Sequence, residues 1–200
     1  LAIQFKNKCA YCDRLIDIPR KGAIDHFRPV HGARDFNKKY EKDYYWWLAF
    51  NWPNLYLACS QCNKYKSNWF PVEGNRCTIA AVGDGLNTEK RLLLDPCADV
   101  PEQHLDFDQR GKIHAKSAKG EITIKILQLN RTELVHARAF ELRKFRARLE
   151  RIRLTKNLLK SKTSYSRPFI EGLVSVLDDS SQEFLAHKRQ YLRSIYNHSE

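Results

Sequence analysis

The sequence predicts an α+β protein with a cysteine-rich first part, a hairpin segment and a mainly helical C-terminal part. Residues 1–75 hold two Cys-x-x-Cys pairs among aromatic side chains and turn formers. Residues 76–119 contain a joining segment in which polar and apolar side chains alternate around a Gly-containing turn, as in a β-hairpin. Residues 120–200 show apolar side chains at spacings of three and four, which favours an accessory helical region.

The composition is that of a globular protein. Of the 200 residues, 42% are hydrophobic and 12% are aromatic, so wholesale disorder is not expected. We find no stretch apolar and long enough to span a bilayer and no signal peptide, so we expect a cytoplasmic protein with no membrane partner. The sequence contains no methionine, which leads us to expect further residues before Leu1.

The charge favours a polyanionic partner. The formal net charge is +12, with 35 Lys and Arg residues against 23 Asp and Glu residues. Such a balance is typical of proteins that bind nucleic acid, although basic side chains often only solvate a helix face.

The cysteines predict a structural zinc site. Each Cys-x-x-Cys pair offers two thiolates from one tight turn, and two such turns complete the tetrahedral S₄ set that Zn²⁺ prefers. A redox pair would need only one copy of the motif. The predicted ligands are Cys9, Cys12, Cys59 and Cys62, whereas the isolated Cys77 and Cys97 are interpreted as small buried side chains.

Polar residues with catalytic chemistry lie between and after these pairs. Asp25 and His26 end a strand-like stretch, and Asn54 precedes the second pair. Asn63 and Lys66 follow that pair, on a helix that we expect to begin near Ser60. Taken singly these residues are weak signals, because an Asp-His pair is often incidental and an Asn after a Cys is often a helix cap.

Together these pieces resemble the HNH, or ββα-metal, nucleases. The resemblance implies two antiparallel strands and a helix around one divalent metal ion, with the Cys₄ zinc site as an outer staple. It implies that His26 is the general base and that Asp25 and Asn63 are ligands of the catalytic metal. It further implies that Asn54 braces the loop carrying the base. Lys66, about one helical turn after Asn63, would hold a phosphate.

The ligands implied for the catalytic site, Asp25 and Asn63, indicate which metal ion it would bind. A carboxylate and an amide oxygen are hard ligands, which suit Mg²⁺ or Mn²⁺. Many HNH enzymes have a second histidine where this sequence has Asn63, and its absence makes Zn²⁺ a poorer working ion. A neutral imidazole suits the removal of a proton from water near neutral pH.

The spacer from Val30 to Pro53 is longer than in compact HNH domains and contains the aromatic run Asp43–Trp52. These rings could stack on unpaired bases. They could equally pack against the small cysteine-rich part, which has little core of its own, and we prefer this second interpretation.

The second half predicts four helical pieces after the hairpin. A short apolar piece covers residues 121–130, and a long helix follows with Asn130 as its N-cap and Glu133 in capping-box position. Two further helices are predicted over about residues 168–177 and 181–196. The long helix carries an apolar stripe and a separate basic face, which consist of Leu142, Phe145, Leu149 and Ile152, and of Lys144, Arg148 and Arg151.

Residues 9–145 more narrowly resemble the PtuB-like HNH nucleases, a bacterial group associated with Septu-type and retron-linked phage defence. The resemblance implies the nuclease subunit of an anti-phage system with an ATPase partner. We expect nucleic acid as the other partner, with DNA favoured over RNA. The helical tail would then be a docking surface or a nucleic-acid clamp. The alternative is a non-catalytic zinc-knuckle module that binds nucleic acid or adapts an ATPase.

Overall fold

A computed structural model describes residues 1–36, 40–158 and 182–197. Within these ranges the chain forms helices and three two-stranded antiparallel sheets, a mixture that agrees with the α+β class. The helices are α1 (Ile18–Lys21), α2 (Ser60–Lys66), α3 (Pro101–His104), α4 (Ala118–Ile126), α5 (Thr132–Leu158) and α6 (Leu185–Asn197). The strands are β1 (Gly22–His26), β2 (Leu55–Cys59), β3 (Val72–Glu73), β4 (Lys90–Arg91), β5 (Leu105–Phe107) and β6 (Ile113–Ala115).

The first sheet and the helix after it form the centre of the cysteine-rich part. Strands β1 and β2 pair antiparallel, from Gly22 opposite Cys59 to His26 opposite Leu55. Helix α2 follows β2 directly, so its predicted start near Ser60 is confirmed. The Sγ atom of Cys59 caps this helix by accepting a hydrogen bond from the backbone N–H of Cys62, 3.4 Å away.

One hydrophobic core crosses the boundaries expected at residues 75/76 and 119/120. Side chains from the first part pack in the same cluster as Leu93 from the joining segment and Leu134 from α5. The cluster also includes Phe184, immediately before α6. Removing the helical region would therefore expose apolar side chains of the cysteine-rich part to water.

The predicted hairpin is confirmed as β5 and β6. Its turn needs glycine at Gly111, where φ is +85° and an added Cβ would lie 2.2 Å from the carbonyl oxygen of Val135. The prediction that Asn130 caps the long helix is wrong, because its amide pairs with the backbone N–H and C=O of Ile113 at 2.8 and 2.7 Å. Helix α5 begins at Thr132 instead.

The apolar stripe of α5 packs against α6. Leu142 and Phe145 are buried in one cluster with Leu192, and Leu149 is half-buried at its edge. These side chains therefore form part of the protein's own core. The predicted helix over residues 168–177, and the side chains of Arg151 and Ile152, lie outside what the structure describes. No helix in the described ranges combines the length and hydrophobicity needed to cross a bilayer.

Candidate metal centre and active site

The four cysteines of the two Cys-x-x-Cys pairs come together. Their sulfur atoms all lie within 4.8 Å of one another, and the Sγ atoms of Cys12 and Cys59 are 4.0 Å apart. Tetrahedral zinc with Zn–S bonds of about 2.3 Å requires sulfurs about 3.8 Å apart, so the cluster fits this ion. Of the other cysteines, Cys77 is buried as expected, whereas Cys97 is exposed and that prediction is wrong.

The fold brings the two pairs together through β2. The backbone N–H of Ala10, inside the first pair, donates to the carbonyl of Leu57 at 2.8 Å. The second pair starts at Cys59, the last residue of the same strand, and continues into α2. The first turn is closed by a bond of 2.9 Å from the N–H of Asp13 to the carbonyl of Cys9.

Arg131 lies beside the sulfurs, a contact that no local sequence pattern indicates. Its Nη2 atom is 3.5 Å from the Sγ of Cys62 and 4.0 Å from that of Cys59, and its Nη1 donates to the carbonyl of Leu127 at 3.1 Å. Burial disfavours the charge of Arg131, but the sulfurs of Cys62, Cys12 and Cys59 together outweigh burial and raise the pKa of the guanidinium. Its positive charge offsets part of the negative charge of four thiolates.

Asp25 is buried and held by two donors. The hydroxyl of Tyr11 donates to its Oδ2, and the ammonium of Lys66 lies 3.1 Å from the same oxygen. Burial, followed by the charge of Asp25, raises the pKa of Tyr11 well above its usual value, so the phenol stays protonated and donates. Tyr11 lies between Cys9 and Cys12, and it therefore links the cysteine cluster to Asp25.

The structure does not place Lys66 where a phosphate could reach it. Its side chain is 0% exposed, and Nζ also donates to the carbonyl of His26 at 2.7 Å. Burial lowers the pKa of Lys66, while the charge of Asp25 acts in the opposite direction. The reason for this placement is that the face of α2 carrying Lys66 packs on β1.

The position of His26 determines which of its nitrogens is available. Its Nε2 lies 3.0 Å from the carbonyl oxygen of Ala49. A carbonyl can only accept, so Nε2 carries the proton and Nδ1 keeps its lone pair in the neutral ring. The nearby Asn54 amide accepts from the N–H of Arg28 at 2.8 Å and donates to its C=O at 3.0 Å. This is the contact that a side chain bracing the loop after His26 would make.

Asp25, His26 and Asn63 line one open cavity of about 250 Å³. Asn54 is buried and does not line this cavity. The rim of this cavity includes His31 and Lys64. Sequence reasoning missed both, although each lies close to a motif residue in the chain. The carboxylate of Asp25 and the amide of Asn63 are donors of the kind that Mg²⁺ takes, and the open side leaves room for the waters that Mg²⁺ retains.

Comparisons with known proteins find two similar Septu proteins. The chain is 40% identical over 137 residues to Septu protein PtuA and 38% identical over 143 residues to Septu protein PtuB, both from Bacillus mycoides (strain KBAB4). Each match covers 68% of this chain but only 19% of the PtuA protein and 47% of the PtuB protein, so the chain spans less than half of either relative. No family model and no solved structure matches the chain.

Proposed function

We propose that this chain is a metal-dependent HNH endonuclease of the Septu type, acting in anti-phage defence. The observation that carries the proposal is that His26 lines the same cavity as Asp25 and Asn63 while its Nε2 is held by the carbonyl of Ala49, which leaves Nδ1 as the nitrogen able to accept a proton. The antiparallel pair β1–β2 followed directly by α2 supplies the scaffold expected of such a site. The similarity to PtuA and PtuB supports membership of the Septu proteins.

Phosphodiester hydrolysis needs a base that removes a proton from the attacking water. His26 performs this step through Nδ1, while the carbonyl of Ala49 holds the ring by its other nitrogen. Asn54 fixes the backbone after His26, which keeps the imidazole in one orientation. Mg²⁺ or Mn²⁺ bound by Asp25 and Asn63 would stabilise the negative charge that develops on the phosphate.

The Cys₄ cluster holds a structural zinc ion in this proposal. The four cysteine sulfurs would occupy every position of a tetrahedral zinc ion, so zinc held here would leave no open position for substrate. Its contribution is to fix the first turn and α2 relative to each other. Tyr11, on that first turn, then holds the carboxylate of Asp25 in place through its hydrogen bond.

A second subunit with ATPase activity completes the proposed system, as the resemblance to PtuB-like nucleases implies. Its docking surface is not the apolar stripe of α5, because Leu142 and Phe145 are already buried against Leu192. The helix expected over about residues 168–177 offers the further apolar anchors Phe169 and Leu173, which lie outside the described residues.

The test compares the parent protein with His26→Ala on plasmid, single-stranded DNA and tRNA. Each substrate is incubated with Mg²⁺, with Mn²⁺ and without added divalent ion. The parent should cleave at least one substrate, and removal of the base should slow cleavage by roughly 10²–10⁴-fold. His136→Ala, a change at an exposed histidine on α5, serves as the matched control and should cleave like the parent.

Two results would contradict this function. Equal cleavage by His26→Ala and the parent would remove His26 as the base. Binding of nucleic acid without cleavage under every metal condition would favour the non-catalytic zinc-knuckle module.

A further inference from the structure

Three large aromatic side chains are exposed on the segment whose Ala49 carbonyl contacts His26. Trp46 is 60% exposed, Phe50 98% and Trp52 56%. We call these three the aromatic surface. They belong to the run that we expected to pack inwards, and part of the run does so, since Tyr45 and Leu48 are fully buried. The packing interpretation is therefore right for one side of the run and wrong for the other.

The backbone under the aromatic surface is fixed. Consecutive tight turns join the N–H of Ala49 to the carbonyl of Trp46 at 3.2 Å and the N–H of Asn51 to the carbonyl of Leu48 at 3.1 Å. The indole of Trp47 donates to the carbonyl of Ala81 at 2.7 Å. The exposed rings are thus carried by a short, anchored segment, which lowers the entropy lost when a ligand binds to them.

The segment that carries the aromatic surface contacts the candidate active site through its backbone. The carbonyl of Ala49, the residue before Phe50, accepts from Nε2 of His26 at 3.0 Å. Asn54 also bonds the carbonyl of Leu48 at 3.3 Å and so ties the same segment to the loop after His26. The rings are therefore attached to the same short segment that holds His26 and the loop after it.

The charges around the cavity favour a polyanion. The exposed Lys64 supplies a positive charge at its rim, beside the polar side chains of His31, Ser67 and Asn68. The one carboxylate in the lining, that of Asp25, is paired with Lys66. Phosphates can therefore approach the cavity while bases contact the rings beside it.

We propose that the aromatic surface stacks unpaired bases beside the cleaved phosphate, so that the substrate is a single-stranded segment of nucleic acid. A duplex keeps the faces of its bases inside its own stack, whereas an unpaired strand offers them to aromatic side chains. Stacking tolerates every base, so the surface selects strandedness and not sequence. This inference rests on the proposed function, because it assigns the substrate class of the same site.

The test measures affinity with catalysis blocked by His26→Ala. The probes are a fluorescein-labelled 30-nucleotide oligothymidine and a labelled 30-base-pair duplex, titrated by anisotropy. Replacing Trp46, Phe50 or Trp52 singly by Ala should weaken single-strand binding by roughly 5- to 150-fold, equivalent to about 1–3 kcal/mol per ring. Duplex binding should change little. Phe140→Ala removes another exposed ring, on α5, and should leave both affinities unchanged.

The outcomes separate this inference from the function on which it rests. If the parent cleaves nucleic acid but the three variants bind the single strand as tightly as His26→Ala alone, the stacking surface is refuted and the nuclease is retained. Loss of co-purification with an ATPase partner, with nucleic-acid binding intact, would make the surface a protein-docking site and also refute stacking. If the parent neither binds nor cleaves any nucleic acid, the proposed function fails and the inference fails with it.

Discussion

Lys66 and Asp25 form an ion pair in the interior of the protein, with Nζ 3.1 Å from Oδ2 and both side chains buried. The pair joins α2 to β1, and the hydroxyl of Tyr11 completes it from the first cysteine turn. Sequence position alone made Lys66 a candidate phosphate contact, but in the structure it pairs with a carboxylate that lines the candidate cavity. A buried charge without its partner is costly, which leads to the first prediction.

Lys66→Met should destabilise the protein by about 3–5 kcal/mol, because it leaves the carboxylate of Asp25 buried without a counter-charge. Urea unfolding of zinc-loaded protein, without added Mg²⁺ or Mn²⁺, measures this loss. Combining Lys66→Met with Asp25→Asn should cost less than the sum of the two single changes, since the unpaired charge is then absent.

An exposed ion pair provides the matched control. Lys90 and Glu73 are 2.7 Å apart with side chains 71% and 60% exposed, and Lys90→Met should cost less than about 1 kcal/mol. Similar losses for Lys66→Met and Lys90→Met would show that the Asp25–Lys66 pair does not behave as a buried pair.

Zinc should be required for folding of the cysteine-rich part. A structural zinc site of this kind supplies about 10–16 kcal/mol of apparent binding energy, which exceeds the stability of most domains. Cys59→Ser should therefore give insoluble or unfolded protein, whereas Cys97→Ser, at an exposed cysteine, should fold and retain one zinc per chain. Elemental analysis of purified parent protein that is folded but free of zinc would contradict this prediction.

Arg131 should slow the loss of zinc. Its guanidinium contacts Cys62 and Cys59, so Arg131→Gln removes a positive charge from beside the thiolates while keeping a polar side chain. We expect zinc release to a colorimetric chelator to accelerate by roughly 10- to 100-fold, as for other changes around metal ligands. Arg143→Gln, at an exposed arginine on α5, should release zinc at the parent's rate. The prediction fails if the two variants release zinc equally fast.

His187 should make the protein less stable in mild acid. Burial lowers the pKa of His187 to about 4, against an ordinary value of 6.5. Above pH 6.5 both the folded and the unfolded protein keep this ring neutral. Between pH 6.5 and about 4 only the unfolded chain takes up the proton, so stability falls as pH decreases, by up to about 3 kcal/mol in total.

His187→Phe should remove that part of the pH dependence. The ring of His187 stacks on Phe107 with centroids 5.4 Å apart, an arrangement that phenylalanine can keep, and its Nδ1 has no hydrogen-bond partner among the described residues. Thermal unfolding at pH 7 and at pH 4.5 measures the difference between variant and parent, in which protonation of the thiolates cancels. His136→Asn, at an exposed position, should show the parent's full decrease.

Local chemistry made part of this structure predictable. Two Cys-x-x-Cys turns predict a common cluster because one tetrahedral ion needs four ligands, and the sulfurs do meet. Alternation around Gly111 predicts a hairpin because a positive φ is needed at one defined position of the turn. In both cases the residues that determine the structure are close in sequence or share one geometric requirement.

The remainder depends on contacts between distant parts of the chain. Helical spacing places Lys66 about one turn after Asn63, but only the packing of α2 on β1 buries it. Asn130 has the side chain of a good helix cap, yet it pairs with Ile113 of the hairpin. The capping pattern involves only neighbouring residues, so it cannot indicate that the hairpin lies next to Asn130. Arg131 shares no motif with the cysteines it contacts. Such partners are fixed by tertiary structure and leave no periodic signal.

The turn that contains Cys9 and Cys12 is also held by the first residue of α6. The carboxylate of Asp13 accepts from the N–H of Leu185 at 2.7 Å, across 172 residues of chain. A ribosome adds about 5–20 residues per second, so Leu185 is synthesised roughly 10 to 30 seconds after Asp13. The turn that supports Tyr11, and through it Asp25, is thus left without this partner while the chain is being made. Synthesis itself delays completion of the site until the later segment has emerged.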